Sequence, residues 1–492
     1  MKEKYILAID QGTTSTRAIL FDHQACPKYI AQREVKCLFP KPGWVEADAL
    51  GIWISVIDVI NDVLINANIS FNDIDSIGIT NQRETTVVWD KRTGMPVYHA
   101  IIWQSRQSQK VCDALEDKKD FIHEKTGLYI NPYFSASKIR FILDHIPNGQ
   151  KEAEEGNLLF GTVDSWIIYK MTNGRMHATD VSNASRTMLF NINTLKWDDE
   201  LCSLFNIPKI MLPKVLASSD YYGVASFFKV DTPICGVAGD QQAALFGQTC
   251  FENGESKNTY GTGCFMLLNI GNKPTFSSNG LLTTVAWKIN NDVFYALEGS
   301  VFVGGASVQW LRDEMHLIEK SSESERLAYE AKDSGGIYVV PAFVGLGTPY
   351  WDNDARGAVF GLTRGTNKAQ FVRATLEAIA YQCKDVFEVM KKESKCSLKC
   401  LKVDGGATAN NYLMQFQSDI LQVDIKLPKC LETTALGAAY LAGLKSGYFS
   451  SLDEIKRIHS YQKTFKPAMD KKEVKEKYNG WKKAIKATRM FK

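Results

Sequence analysis

The sequence is short of the features that mark several common protein classes, and each absence excludes something. It holds no G-x-x-x-x-G-K-[ST] run, so phosphate is not cradled by a P-loop, and the protein-kinase signatures are missing as well. Gly345-Leu346-Gly347 lacks the third glycine of a dinucleotide fingerprint. Eleven cysteines are scattered with no paired C-x-x-C spacing; Cys396 and Cys400 are the closest pair and stand alone. Met1-Lys2-Glu3-Lys4 runs straight into an apolar strand without a signal-peptide pattern. With the odd thiol count, this leads to the expectation of a cytoplasmic chain with reduced cysteines. Ala435 to Leu444, the longest apolar stretch near the C-terminus, is too short to span a bilayer, so no membrane insertion is expected. Arg489-Met490-Phe491-Lys492 is no peroxisomal address.

A net charge of only +3 argues against nucleic acid as a main partner. The charge is uneven: from Ser451 onward 13 Lys plus Arg face five Asp plus Glu, a net +8, leaving −5 for the remainder. A solvated helical face is the expected form of this basic end, ahead of a docking surface. What is present is the composition of an ordinary globular protein, 45% hydrophobic and 23% charged, with 492 residues to build two or three domains.

The most informative stretch is Ala8-Ile9-Asp10-Gln11-Gly12-Thr13-Thr14-Ser15-Thr16-Arg17. Apolar runs at Tyr5–Ile9 and Ala18–Phe21 flank it, so it reads as the tip of a β-hairpin. Backbone N–H groups and hydroxyls at such a tip suit a phosphate anion, and Gly12 lets the main chain come close. Asp10, ending the first strand, suits Mg²⁺ held through water. An ordinary polar turn would look the same locally. The second copy favours the phosphate site: Asn258-Thr259-Tyr260-Gly261-Thr262-Gly263-Cys264 repeats the layout 249 positions later, half the chain's length. Two related domains, each offering a phosphate hairpin to a shared cleft, are expected. A third glycine turn, Val403-Asp404-Gly405-Gly406-Ala407-Thr408-Ala409-Asn410, leads toward a helix at Asn411–Leu421 and suits a flat base and ribose. Together these point to an actin-like, sugar-kinase-like ATPase.

Several further residues carry two readings. Arg83-Glu84, between apolar strands at Ile77–Thr80 and Thr85–Trp89, is either a structural ion pair or a fork of donors and acceptors for a polyol. Trp103 is either core or the wall of that pocket, and Tyr133 follows a proline turn from which its hydroxyl can reach the same cleft. Asp240, in Ala238-Gly239-Asp240-Gln241-Gln242, is either a helix N-cap or a general base where the domains meet. Asp164 reads as a structural N-cap. Gly304-Gly305 lies inside what reads as a helical pattern from Leu297 to Leu311, at a cost of about 1 kcal/mol each, so a ligand or backbone is expected to approach closely there. Gln309 shares a helical face with Gly305. Asn367 to Gln370 has the form of a capping box, with Phe371, Ala374, Ala378 and Tyr381 as a buried stripe beyond it.

These motifs, with Pro42-Gly43-Trp44-Val45-Glu46 and Asn183-Ala184-Ser185-Arg186-Thr187 in the same order, resemble the FGGY carbohydrate kinase family over nearly the whole chain. The resemblance implies an α/β fold of two actin-like (ribonuclease H-like) domains, 1–249 and 250–492, with the nucleotide and substrate cleft between them. It implies phosphorylation of glycerol by ATP to sn-glycerol 3-phosphate and ADP, with Mg²⁺ held by Asp10 and Asp240. Glycerol is then expected against Arg83, Glu84, Tyr133, Asp240 and Gln241, with Trp103 and Phe265 on its carbons and Asp240 as general base. ATP or ADP is expected to meet Thr13, Thr14, Ser15 and Arg17 on one side, and Thr262, Gly305, Gln309, Gly406 and Asn410 on the other. The family further suggests a homodimer. Its bacterial members carry a Gly-Gly-Thr-Arg loop for fructose 1,6-bisphosphate where this chain reads Ser226-Phe227-Phe228-Lys229-Val230-Asp231-Thr232-Pro233, so no such inhibition is expected. A related kinase acting on a longer polyol or ketose is the nearest alternative, and a non-catalytic actin-like scaffold the more distant one.

Overall fold

The computed structural model describes residues 4–394, 396 and 398–491. Its framework is two mixed β-sheets of the same plan. In the first, the strands Tyr5–Gln11, Ser15–Phe21 and Pro27–Glu34 form an antiparallel meander, and Ile74–Asn81 and Ile234–Gly239 extend it in parallel. In the second, Ser256–Tyr260, Cys264–Asn269 and Asp292–Val301 form the meander. Cys400–Asp404 and Asp424–Pro428 extend that sheet in parallel, and Leu282–Ile289 and Tyr461–Phe465 close its edges. Each Gly-Thr turn joins the first two strands of its meander. The repeat at Gly12 and Gly261 is therefore a repeat of topology.

Local chemistry explains the elements that carry these sheets. The helix Ala49–Ala67 starts where the Asp48 side chain accepts the Leu50 N–H, and ends at Asn68 in a left-handed conformation (φ 52°). It is long and apolar enough to cross a bilayer, yet it buries Ile52, Val56, Val59, Ile60 and Val63 in the core of the first sheet. The helix Lys368–Ser394 follows the expected capping box: Asn367 N–H donates to Gln370 Oε1 at 3.1 Å, and Gln370 N–H to Asn367 Oδ1 at 3.0 Å.

Two short helices lock the halves together. Thr433–Ser446 comes from late in the chain but lies on the first sheet, beside Asp240–Gly247. Its approach is too close for side chains: a Cβ added at Gly437 would lie 1.8 Å from the Ala243 carbonyl, and one at Gly78 2.3 Å from that of Ala438. The apolar run Ala435–Leu444 is thus the buried middle of this helix. A second contact joins Ser185 Oγ to Thr284 Oγ1 at 2.8 Å, and the Tyr295 hydroxyl donates to the Ile192 carbonyl at 2.8 Å.

Three local expectations are corrected. Asp164 is not the N-cap of its helix, Val163–Met171; Thr162 holds that position. Asp164 instead accepts the hydroxyls of Thr162 and Thr179, the latter at 2.7 Å, and burial lifts its carboxyl to about 7. Gly304-Gly305 is not inside a helix: Asp292–Val301 is a strand, and the helix begins at Ala306. Asp240 is the first helical residue rather than the cap, which is Gly239. The basic end forms the helix Lys471–Met490, which buries Val474, Trp481 and Ile485 while Lys471, Lys475, Lys482 and Lys486 face outward. The eleven cysteines are all free thiols.

Candidate active site

The two Gly-Thr turns border one aromatic group. Trp103 Nε1–H donates to Thr13 Oγ1 at 2.9 Å, and the Trp103 ring meets Phe265 edge-on, centroids 6.3 Å apart. Tyr133 also meets the Trp103 ring edge-on, with centroids 5.6 Å apart. Residues of the first turn, of the loop after Ile101 and of the second sheet thus line one space.

The first turn is braced before any ligand arrives. Gly12 N–H donates to the Ser15 carbonyl at 2.9 Å, and the Gln11 and Gln82 amides both reach the Gly12 carbonyl, at 2.7 and 3.1 Å. Thr14 is exposed, with Thr13 and Ser15 half-buried beside it. Such a turn can offer hydroxyls and N–H groups to an anion without reorganising. The second turn rests on the glycine pair: Gly305 N–H donates to Gly261 O at 2.9 Å, and Gly304 N–H to Thr262 O at 2.8 Å. A Cβ at Gly305 would stand 2.7 Å from Gly261 O, so the close approach expected there is made by backbone. Thr262 and Gln309 are left exposed.

At the third turn, Gly405 holds φ 92° and a Cβ there would stand 2.5 Å from the Tyr260 carbonyl, whereas a Cβ on Gly406 would meet nothing within 4 Å. That open surface is what a base or ribose needs. Asn410 is already engaged. Its Oδ1 caps the helix Asn411–Leu421 by accepting the Leu413 N–H at 2.9 Å, and its Nδ2 donates to Ser324 Oγ at 3.1 Å. Arg17 is engaged too: Nη1 pairs with Glu432 at 2.8 Å and Nε with Gln32 at 3.1 Å.

Arg83 and Glu84 are not chiefly a pair with each other, their closest ionic approach being 3.8 Å. Arg83 is buried and spends both terminal nitrogens on Glu298, at 2.6 and 2.9 Å, while its Nε lies 3.1 Å from Asp240 Oδ1. Glu84 is held by Arg186, whose Nε donates to it at 2.6 Å and whose Nη2 reaches Glu298 at 3.2 Å. The Glu84 backbone is left-handed (φ 59°), a conformation that costs energy in a non-glycine residue. Its carbonyl is pinned by the Ser135 and Thr86 hydroxyls, each at 3.1 Å. Asp240 is the accessible member, its side chain 30% exposed against 2% for Arg83. Gln241 is tied back: the buried Lys257 ammonium donates to its side-chain oxygen and, at 2.8 Å, to Thr259. Burial lowers that ammonium to about 8, against the opposing pull of Asp404 and Asp240.

The sequence reading missed Glu298 and Lys257, and quoted Arg186 and Gln242 in motifs without giving them a place in the site; Gln242 contacts Arg83 Nη1 at 3.2 Å. A signal existed for two of them. Lys257 and Glu298 are charges within strands whose neighbours are buried, a placement that demands a partner.

Two like-built α/β halves with Gly-Thr turns on a shared site define a two-domain kinase fold. The chain belongs to the FGGY family of carbohydrate kinases: the family's N-terminal domain matches residues 5–247 and its C-terminal domain residues 256–446. Among curated relatives, the glycerol kinase of Bacillus licheniformis is 58% identical over 495 residues, covering all of both chains. That of Listeria monocytogenes is 56% identical over 497 residues, again covering all of both. The crystal structure of Plasmodium falciparum glycerol kinase with ADP superposes with a TM-score of 0.93 at 36% identity, covering 99% of this chain and 98% of that one. The gluconate kinase of Lactobacillus acidophilus shares the fold, with a TM-score of 0.88 at 22% identity over 99% of this chain and 98% of that one.

Proposed function

We propose that the protein transfers the γ-phosphoryl group of ATP to glycerol, giving sn-glycerol 3-phosphate and ADP. The observation that carries this reading is Asp240. It is an accessible carboxylate on the Nε of a buried arginine; the same arginine acts on Tyr133, whose ring packs on Trp103, the ring bonded to the first Gly-Thr turn. The full-length relatives named glycerol kinase support the choice of substrate.

Glycerol lies against Arg83, Glu84, Tyr133, Asp240 and Gln241, with its carbons on Trp103 and Phe265. Its attacking hydroxyl oxygen bonds to the γ-phosphorus as the bridging bond to ADP breaks, and the hydroxyl proton passes to Asp240. General-base help of this kind is worth ~10²–10⁴-fold. Alignment of the two substrates contributes the larger share, as in other phosphoryl transfers. Thr13, Thr14, Ser15 and Thr262 hold the phosphates, and Gly305, Gln309, Gly406 and Asn410 border the nucleoside. Arg17 joins the phosphates by exchanging its Glu432 partner for them.

A Mg²⁺ site at Asp10 and Asp240 fits the donor set. Burial, with Arg17 opposing and Asp240 and Glu432 adding to it, pushes the Asp10 carboxyl up to about 7, and the repulsion from Asp240 places the two carboxylates near one another. When bound, Mg²⁺ supplies charge neutralisation on the phosphates. A homodimer, cytoplasmic residence and insensitivity to fructose 1,6-bisphosphate belong to the same proposal. The test is ADP release in a coupled assay with glycerol against water alone. Glycerol-dependent release is expected, and release equal to that in water would defeat the assignment.

A further inference from the structure

Glu298 has no place in the phosphoryl-transfer scheme, yet it is the most heavily engaged carboxylate near it. It sits on the strand Asp292–Val301 of the second sheet, wholly buried, and reaches residues 215 and 112 positions earlier in the chain. Its Oε2 takes Arg83 Nη1 at 2.6 Å, and its Oε1 is shared between Arg83 Nη2 at 2.9 Å and Arg186 Nη2 at 3.2 Å. Arg186 in turn holds Glu84 at 2.6 Å and lies over the Tyr133 ring at 5.7 Å. Two arginines and two glutamates alternate here, neutral as a set. Burial favours the protonated Glu298, but Arg186 and Arg83 outweigh it and hold the carboxyl down at about 2.

The geometry divides the Arg83 fork. Because Glu298 binds both terminal nitrogens in the bidentate manner, the guanidinium plane is set and only Nε is turned to Asp240. Without Glu298 the same fork is free to swing end-on to Asp240, engaging the oxygens that must accept a proton. Glu84 and Tyr133 would lose their support at the same time, through Arg186.

We infer that Glu298 is the positioning residue of the polyol pocket, supplied by the second sheet to orient Arg83 directly and Glu84 and Tyr133 through Arg186. The inference rests on the glycerol-kinase reading of the site. Glycerol binding should therefore depend on Glu298 while nucleotide binding does not.

The test is steady-state kinetics of Glu298→Gln and Glu298→Asp, with both substrates varied and thermal unfolding followed in parallel. Glutamine removes the charge; aspartate keeps it but is one methylene too short for the bidentate contact. Both are expected to raise the glycerol KM by ~10-fold or more with less than about a twofold change in the ATP KM, the size of effect that weakening a charged hydrogen bond to a ligand gives. A role in charge balance alone would spare the aspartate variant's glycerol KM. That result would overturn the inference, as would a parallel rise in both KM values. If the glutamine variant does not fold, the aspartate variant decides. Wild-type protein that phosphorylates no glycerol would defeat the functional reading instead, which keeps the two failures apart.

Discussion

Arg83 Nε lies 3.1 Å from Asp240 Oδ1 while the far end of the same guanidinium is clasped by Glu298. One buried cation thus joins the accessible Asp240 carboxylate to one supplied by the other sheet. The consequences for activity and for stability can be separated.

Replacing Asp240 by Asn keeps the shape and the Arg83 contact but removes the proposed proton acceptor. Turnover is expected to fall by ~10²–10⁴-fold. Nucleotide affinity, measured by titration with a non-hydrolysable ATP analogue, should stay near wild type. A variant that keeps most of its turnover would remove Asp240 from the base role.

Arg83→Ala has a double effect. It deletes the charged donor proposed for the polyol, and it leaves Glu298 and Glu84 with one buried cation between them. Breaking a buried pair on one side costs about 3–5 kcal/mol. Urea unfolding should show a loss of that order, and glycerol binding should weaken more than ATP binding. Loss of ATP affinity with glycerol affinity spared would misplace the pocket.

Adjacent glycines of the third turn should respond differently to alanine. Gly405→Ala forces a side chain into a left-handed backbone with its Cβ 2.5 Å from the Tyr260 carbonyl, so stability is expected to fall. Gly406→Ala meets nothing in the protein, and its unfolding midpoint should match wild type within about 0.5 kcal/mol. Its ATP KM should rise, because the new methyl occupies the surface proposed for the nucleoside. An unchanged ATP KM for Gly406→Ala would move the nucleoside away from this turn.

The basic C-terminal helix carries a pH signature. Asp385 accepts the Tyr478 hydroxyl at 2.6 Å and Trp481 Nε1–H at 2.8 Å, and burial raises its carboxyl from an ordinary 3.8 to about 6 against those bonds. The folded state therefore holds this proton more tightly than the unfolded state. The contribution to stability is fully present below about pH 4, is lost as pH rises toward 6, and is flat above that. Urea midpoints of wild type and Asp385→Asn between pH 4 and 7 should converge or cross over that window, since the asparagine variant lacks the slope. Parallel curves would show that Asp385 titrates normally.

Much of the architecture was legible because its marks are local. The capping box at Asn367 and Gln370 lies within four residues, and the helix Asn411–Leu421 was bounded by its own turn. The two Gly-Thr hairpins showed in the sequence as copies of one pattern. Where two local patterns compete, the reading failed: Leu297–Val301 alternates too little to be told from a helix, so Gly304-Gly305 was placed inside one rather than at the strand-to-helix turn.

The two Gly-Thr hairpins, the third glycine turn with its following helix and the family itself were legible in the sequence alone, since each rests on residues close together along the chain. The partnership of Arg83 with Glu298, the bracing of Glu84 by Arg186 and the seating of Thr433–Ser446 on the first sheet were decided only by the tertiary structure. Such contacts join segments tens to hundreds of residues apart. A buried charge shows in the sequence that a partner is required, but only the folded packing selects which one.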